Sequence, residues 1–217
     1  VGAGGTKPYL LTEYGPPGSW ELNKNSWGAC VELSSTEKDA YYRRTYQRAI
    51  VSQPLCVGSY AFIWGSKQEA TATWFGLMLP DGSKLESVDT LTELWGGRNP
   101  AGSCPKIINL SIDGPPKVKS GESVSAHLRM SEWHGEPLKV SWVLSYDPAV
   151  YPLGGSTEPV PAQFANAVVR GDANGATLKM PSVRGGYRLF VYVRTTRGAA
   201  ATAHIPLFVT DGETPPP

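Results

Sequence analysis

Two apolar runs with a capped helix between them set the tightest limit on how this chain can fold. The first lies within Lys7–Gly18, KPYLLTEYGPPG, where Tyr9–Leu11 leads to a carboxylate, Glu13. The turn signal Gly15-Pro16-Pro17-Gly18 follows, so Pro8–Thr12 reads as a strand that ends abruptly. The second run, Cys56–Trp64 or CVGSYAFIW, shows little polar alternation, the expectation for a strand covered on both faces in a parallel sheet. Between them a long loop spans Gly15–Leu33, and Ser34-Ser35-Thr36-Glu37 then forms a capping box with Ser34 as N-cap. The helix it opens runs to about Val51, with Tyr42, Tyr46, Ala49 and Ile50 on one face, and Pro54 forbids its continuation. After the second run come a loop over 65–73, a small hairpin over Trp74–Leu85 turning at Pro80-Asp81-Gly82, and a helix over Glu86–Trp95. Strand, loop, helix, strand, loop, helix amounts to two β/α units.

The grammar changes near residue 105. Gly96–Pro105, GGRNPAGSCP, is a Gly/Pro-rich junction, and short strands separated by Gly, Pro and Asp follow it. Strands are expected near 106–112, 124–130, 139–146, 167–169, 176–180, 187–195 and 201–209. About seven short strands with frequent turns predict a β-sandwich, with Trp142 as a core tryptophan. Thr214–Pro217 reads as a tail or linker. A buried strand that delivers one acid to its C-terminal end is how a (β/α)8 barrel presents a catalytic group. The fold class expected is therefore α/β plus all-β. Residues 1–104 read as two β/α units of a partial (β/α)8 barrel, and 105–213 as a β-sandwich.

Composition narrows the function classes. The formal net charge of +1 gives no reason to invoke nucleic acid or an anionic membrane. No stretch is apolar for long enough to span a bilayer, and VGAGGTKPYLL is not a signal peptide. The three cysteines, Cys30, Cys56 and Cys104, include no CxxC pair, which argues against a zinc site or a disulfide framework and leaves one disulfide plus a free thiol open. Seven Trp and ten Tyr are many for 217 residues; aromatic faces suit sugar stacking, and most fill cores.

The motifs carry a family resemblance. KPYLLTEYG is similar to the seventh-strand motif of clan A glycoside hydrolases, where a strand ends in Glu followed by an aromatic residue and Gly. Phe62-Ile63-Trp64-Gly65 resembles the eighth strand of the same barrels, and the two helices fit the seventh and eighth helices. WGSKQEATATWF and GGYRLFVYVRTTRGAAATAHIPLFV resemble family 2-type glycosidases carrying a C-terminal immunoglobulin-like domain. The resemblance covers nearly the whole chain in order and spacing, and implies that 1–104 are the last two β/α units of the barrel and 105–213 an immunoglobulin-like β-sandwich. It implies a retaining hydrolase of β-glycosidic bonds in an oligo- or polysaccharide, with Glu13 as nucleophile and Trp64 closing the floor of a sugar subsite. It implies no cofactor and no metal. The acid/base belongs to strand four, after an Asn, and lies outside this chain: Glu21, Glu32 and Glu69 lack that context. The missing N-terminal part of the same barrel is then a required partner, and the isolated chain is expected to be inactive. An appended sandwich favours a periplasmic or extracellular location.

Other residues have competing readings. Tyr14 is placed to hydrogen-bond the nucleophile. Trp20, Trp27 and Trp74 lie in loops, where they either line a sugar groove or cap the barrel. Lys67, Gln68 and Glu69 either reach sugar hydroxyls or form a solvated loop. Glu132-Trp133-His134-Gly135-Glu136 has metal-ligand types but reads as a turn. Asp172-Ala173-Asn174-Gly175 resembles part of a calcium loop and reads as a hairpin turn. His127 and His204 read as structural. The alternative for the whole chain is a non-catalytic carbohydrate- or protein-binding sandwich with a degenerate barrel remnant.

Overall fold

The computed structural model describes residues 6–98, 102–147 and 158–214. The first strand, β1 (Tyr9–Tyr14), pairs in parallel with β2 (Cys56–Ala61). A parallel pair needs a crossover, and α1 (Ser35–Tyr46) supplies it. Its capping box is formed as expected: Ser34 Oγ accepts from the Glu37 N–H, and the Glu37 carboxylate accepts from the Ser34 N–H at 2.7 Å. The last turn widens into a π-helical segment, Gln47–Val51. The second helix, α2 (Glu86–Gly96), ends on Gly97, whose φ of +63° suits a residue without a Cβ. Arg43 joins the helices, donating to Glu93 at 2.7 Å and to Thr90 at 3.0 Å. Tyr14, Tyr42, Leu77 and Leu91 fill the space between the strand pair and the helices.

This strand pair is a two-stranded sheet and not a barrel. The expectation that β2 is covered on both faces fails: Val57 and Tyr60 are 66% and 63% exposed. Covered faces need neighbours, and among the described residues only β1 pairs with β2. The hairpin expected over 74–85 is reduced to a bridge, Met78 with Lys84, around a turn closed by Leu79 and Ser83.

The second half is a β-sandwich of two four-stranded sheets. One contains β4 (Lys117–Val118), β10 (Ala200–Val209), β9 (Gly185–Thr195) and β6 (Leu138–Tyr146), in that order. The other contains β3 (Ile107–Ile112), β5 (Ser123–Met130), β8 (Gly175–Lys179) and β7 (Val168–Gly171). Seven strands match the expected positions; β4, two residues long, has no sequence signal. Leu128, Trp142, Leu144, Leu178, Leu189 and Leu207 build the core, and Trp142 Nε1 donates to the Asp172 carbonyl at 3.0 Å.

The sheet that contains β9 and β10 is buried on both faces. Tyr187, Leu189, Val191 and Val193 face the sandwich core. The alternate residues Arg188, Phe190, Tyr192, Ala200 and Thr202 are buried or nearly so against the first half. Side chains alternate along a strand, so two covered faces require a third layer, and the β/α half is that layer. Backbone bonds stitch the seam: Thr202 N–H to Ser35 Oγ at 2.9 Å, Ile107 N–H to Thr36 Oγ1 at 3.1 Å, and Ala200 N–H to the Lys84 carbonyl at 2.8 Å. All three cysteines are free thiols. Among the described residues no helix is long and apolar enough to cross a membrane.

Candidate functional site

The C-terminal ends of β1 and β2 lie together because the strands run parallel, with Tyr14 opposite Ala61. Glu13 is the penultimate residue of β1 and is exposed. Trp64 follows the end of β2 and is 66% exposed. The two residues highlighted in the sequence therefore stand at the same end of neighbouring parallel strands. The Tyr14 carbonyl accepts from the Phe62 N–H at 2.7 Å, which carries the pairing past the strand ends toward Trp64.

The other candidates divide. Tyr14 turns the opposite way from Glu13, as consecutive strand residues do, and is buried with its ring 5.9 Å from Tyr42 and 6.4 Å from Tyr46. Burial pushes its phenol up to about 12. It belongs to the helix-facing core and not to the nucleophile. Trp74 is 0% exposed and donates its Nε1–H to the Pro17 carbonyl at 2.9 Å, so it packs in the interior and lines no groove. Trp20 stays exposed, its ring 6.4 Å from Phe75. Trp27 lies 5.8 Å from Phe208, the rings tilted by 43°, with Lys117 above it, at the seam. Lys67 pairs with Glu69 and lies over the Phe62 ring at 5.3 Å. Gln68 has its side-chain amide buried without a hydrogen-bond partner among the described residues, and its backbone carbonyl accepts from the Glu158 N–H at 3.0 Å. The segment 67–69 is thus largely packed structure and not a solvated loop, with Gln68 lining a small pocket beside Ala70 and Thr71.

The three other carboxylates weighed in the nearby loops, Glu21, Glu32 and Glu69, are engaged. Glu21 accepts from the Gly18 N–H at 2.7 Å. Glu69 holds Lys67. Glu32 is buried between Lys38, Thr71, Thr73 and His204.

The metal-type motifs also resolve. Glu136 accepts from the Arg197 N–H and guanidinium, while His134 and Glu132 are solvated 3.6 Å apart. Asp172 accepts from the N–H groups of Asn174 and Gly175, the hairpin turn between β7 and β8. His127 sits exposed, 3.0 Å from Asp113. Among the described residues no group of three His, Cys, Asp or Glu is placed to hold a metal ion.

A groove of about 610 Å³ runs along the free edge of β2, between Tyr46, Ile50, Tyr60, Trp64, Leu77 and Trp95. Its walls are largely apolar, and no sequence argument singled it out.

No family model matches this chain, and no curated protein matches it. Solved structures that overlap about half of it at low similarity include two that differ in source. One is the PKD domain of an M14-like peptidase from Thermoplasmatales archaeon SCGC AB-540-F20, at 10% identity and TM-score 0.30, covering 51% of this chain and 100% of that one. The other is murine CRIg, at 13% identity and TM-score 0.27, covering 48% and 99%.

Proposed function

We propose that this chain is the C-terminal part of a retaining glycoside hydrolase that cleaves β-glycosidic bonds in an oligo- or polysaccharide, with Glu13 as nucleophile. One observation carries the reading: Glu13 and Trp64 stand at the same end of adjacent parallel strands. The Glu13 carboxylate attacks the anomeric carbon and forms a glycosyl ester, which water then hydrolyses. Trp64 offers an aromatic face to a sugar ring. Protonation of the leaving oxygen needs a second carboxyl about 5–5.5 Å from the first. With Glu21, Glu32 and Glu69 engaged elsewhere, that group comes from the upstream part of the barrel. The open edge of β2 and its apolar groove suit further strands at that position. The sandwich, immunoglobulin-like in this reading, is an accessory layer, and an exported location fits it.

The test uses the longer gene product with its upstream β/α units. It is expected to hydrolyse an aryl β-glycoside, and Glu13→Gln should cut kcat by about a thousandfold or more. A 2-deoxy-2-fluoro glycoside should label the peptide that contains Glu13. Label on another residue, or full activity in Glu13→Gln, overturns the proposal. The 217-residue chain alone should show no turnover.

The seam favours a second reading, in which the sandwich is a glycan- or protein-binding module and the β/α half is its packing partner. A complete gene that lacks further β/α units upstream decides for it.

A further inference from the structure

The most concentrated chemistry outside the strand ends lies at the seam. Arg188 of β9 is 1% exposed, and its guanidinium has three kinds of partner. Nε and Nη2 donate to Asp147 at 2.9 and 2.7 Å, Nη2 also to the Cys30 carbonyl at 2.9 Å, and Nη1 meets His204 Nδ1 at 3.0 Å. On the other side of the ring, Nε2 lies 3.1 Å from Glu32 Oε2, poorly aligned for a regular hydrogen bond. Glu32 in turn holds Lys38 of α1 and accepts from Thr71 and Thr73 at 2.7 and 2.9 Å. Asp147, Arg188 and His204 belong to the sandwich half, and Cys30, Glu32 and Lys38 to the other, so the cluster joins the halves at two points, Arg188 on the Cys30 carbonyl and His204 beside Glu32.

A guanidinium only donates, so Nδ1 must accept, and the imidazole is neutral with its proton on Nε2, toward Glu32. A second proton could enter only at Nδ1, pointing at Arg188. We propose that His204 is an acid-sensitive latch between the two halves, closed while its ring is neutral and opened by protonation at Nδ1.

The groups facing the ring are Glu32 from the segment before α1, Lys38 from α1, Arg188 from β9 and, through Arg188, Asp147 after β6; Phe190 packs at 5.5 Å without charge. Glu37 shares with His204 a cavity of about 390 Å³ beside the N-terminus of α1, a route for the proton. Burial, Arg188 and Lys38 hold His204 below its ordinary value, against the pull of Glu32. Burial alone would raise Glu32, but Lys38, His204 and Arg188 hold it well below the carboxylate range, so it stays ionised while His204 titrates. The closed seam thus binds the proton less tightly than the opened one. The stability from the latch is complete above about pH 6.5, the value of a solvated histidine, and is lost as pH falls toward the folded-state pKa. In that window opening grows by up to about tenfold per pH unit.

The experiment takes the full 217-residue chain labelled with ¹⁵N. Two-bond ¹H–¹⁵N correlations at neutral pH should show His204 with Nδ1 bare and Nε2 protonated. Amide exchange, corrected for its intrinsic pH dependence, should then be followed at Thr202, Ala200 and Ile107 against Leu189 and Val191. The seam amides should lose protection by up to tenfold per unit below about pH 6.5, and the core amides should not. His204→Gln, a neutral side chain with one donor and one acceptor, should hold the seam amides level across the same range. A protonated Nδ1 at neutral pH overturns the proposal, as does equal acid loss in His204→Gln. If that variant does not fold, the wild-type profile decides alone: seam protection that stays level from about pH 7.5 to 5 overturns it.

Discussion

Trp64 and Trp74 are ten residues apart, of one type, and have opposite fates. Trp74 is enclosed by Cys30, Ala70 and Phe75, and its indole N–H is satisfied by Pro17, so nothing of it reaches a ligand. Trp64 is two-thirds exposed and its ring is available at the strand ends. The difference is measurable in stability. Trp74→Ala removes a large packed side chain and strands the Pro17 carbonyl; a loss of about 3–5 kcal/mol is expected from urea unfolding. Trp64→Ala should stay within about 0.5 kcal/mol of the parent chain, because water already covers most of what is removed. A Trp64→Ala cost as large as that of Trp74→Ala would assign Trp64 to the core and remove it from the site.

Elements show where sequence reasoning reached and where it stopped. The capping box was legible because its partners, Ser34 and Glu37, lie within one turn. Ser34→Ala should cost about 1 kcal/mol, read as a lower urea midpoint with an unchanged m-value. Both strands of the first half and seven of the sandwich were legible for a related reason: apolar runs and turn residues are local signals. The coverage of each face was not. In β9 the period of two shows which residues share a face, but nothing local shows that the face carrying Arg188 is covered. Arg188 is buried because Asp147, Cys30 and His204 arrive from distant parts of the chain. The same limit works in reverse at β2, where an apolar run suggested cover and Val57 and Tyr60 are open. At the candidate site, Glu13 and Trp64 were legible from strand ends, whereas the inward turn of Tyr14 and the burial of Trp74 depend on α1 and on the loop before it.

At the scale of the molecule, the layers are the second sandwich sheet, the sheet with β9 and β10, and the β/α half. The middle sheet contributes to two cores at once, Leu189 and Val191 to one and Ala200 and Tyr192 to the other. Separating the halves would expose the apolar part of the second interface, Leu79 and Leu85 against Ala200 and Tyr192, at about 25 cal/mol per Å² of surface returned to water. The halves should therefore unfold together, in one urea transition with an m-value suited to the whole chain. A fragment of residues 105–217 would keep its eight strands and its own core. It would also hold Phe190 and Tyr192 against water, and Arg188 and Asp147 would lose the Cys30 carbonyl and the enclosure that Glu32 and Lys38 provide. Its urea midpoint should fall well below that of the intact chain. Two separate transitions in the intact chain, the later one matching the fragment, would show instead that the seam joins two independently folding bodies, and the sandwich would then stand as a module in its own right.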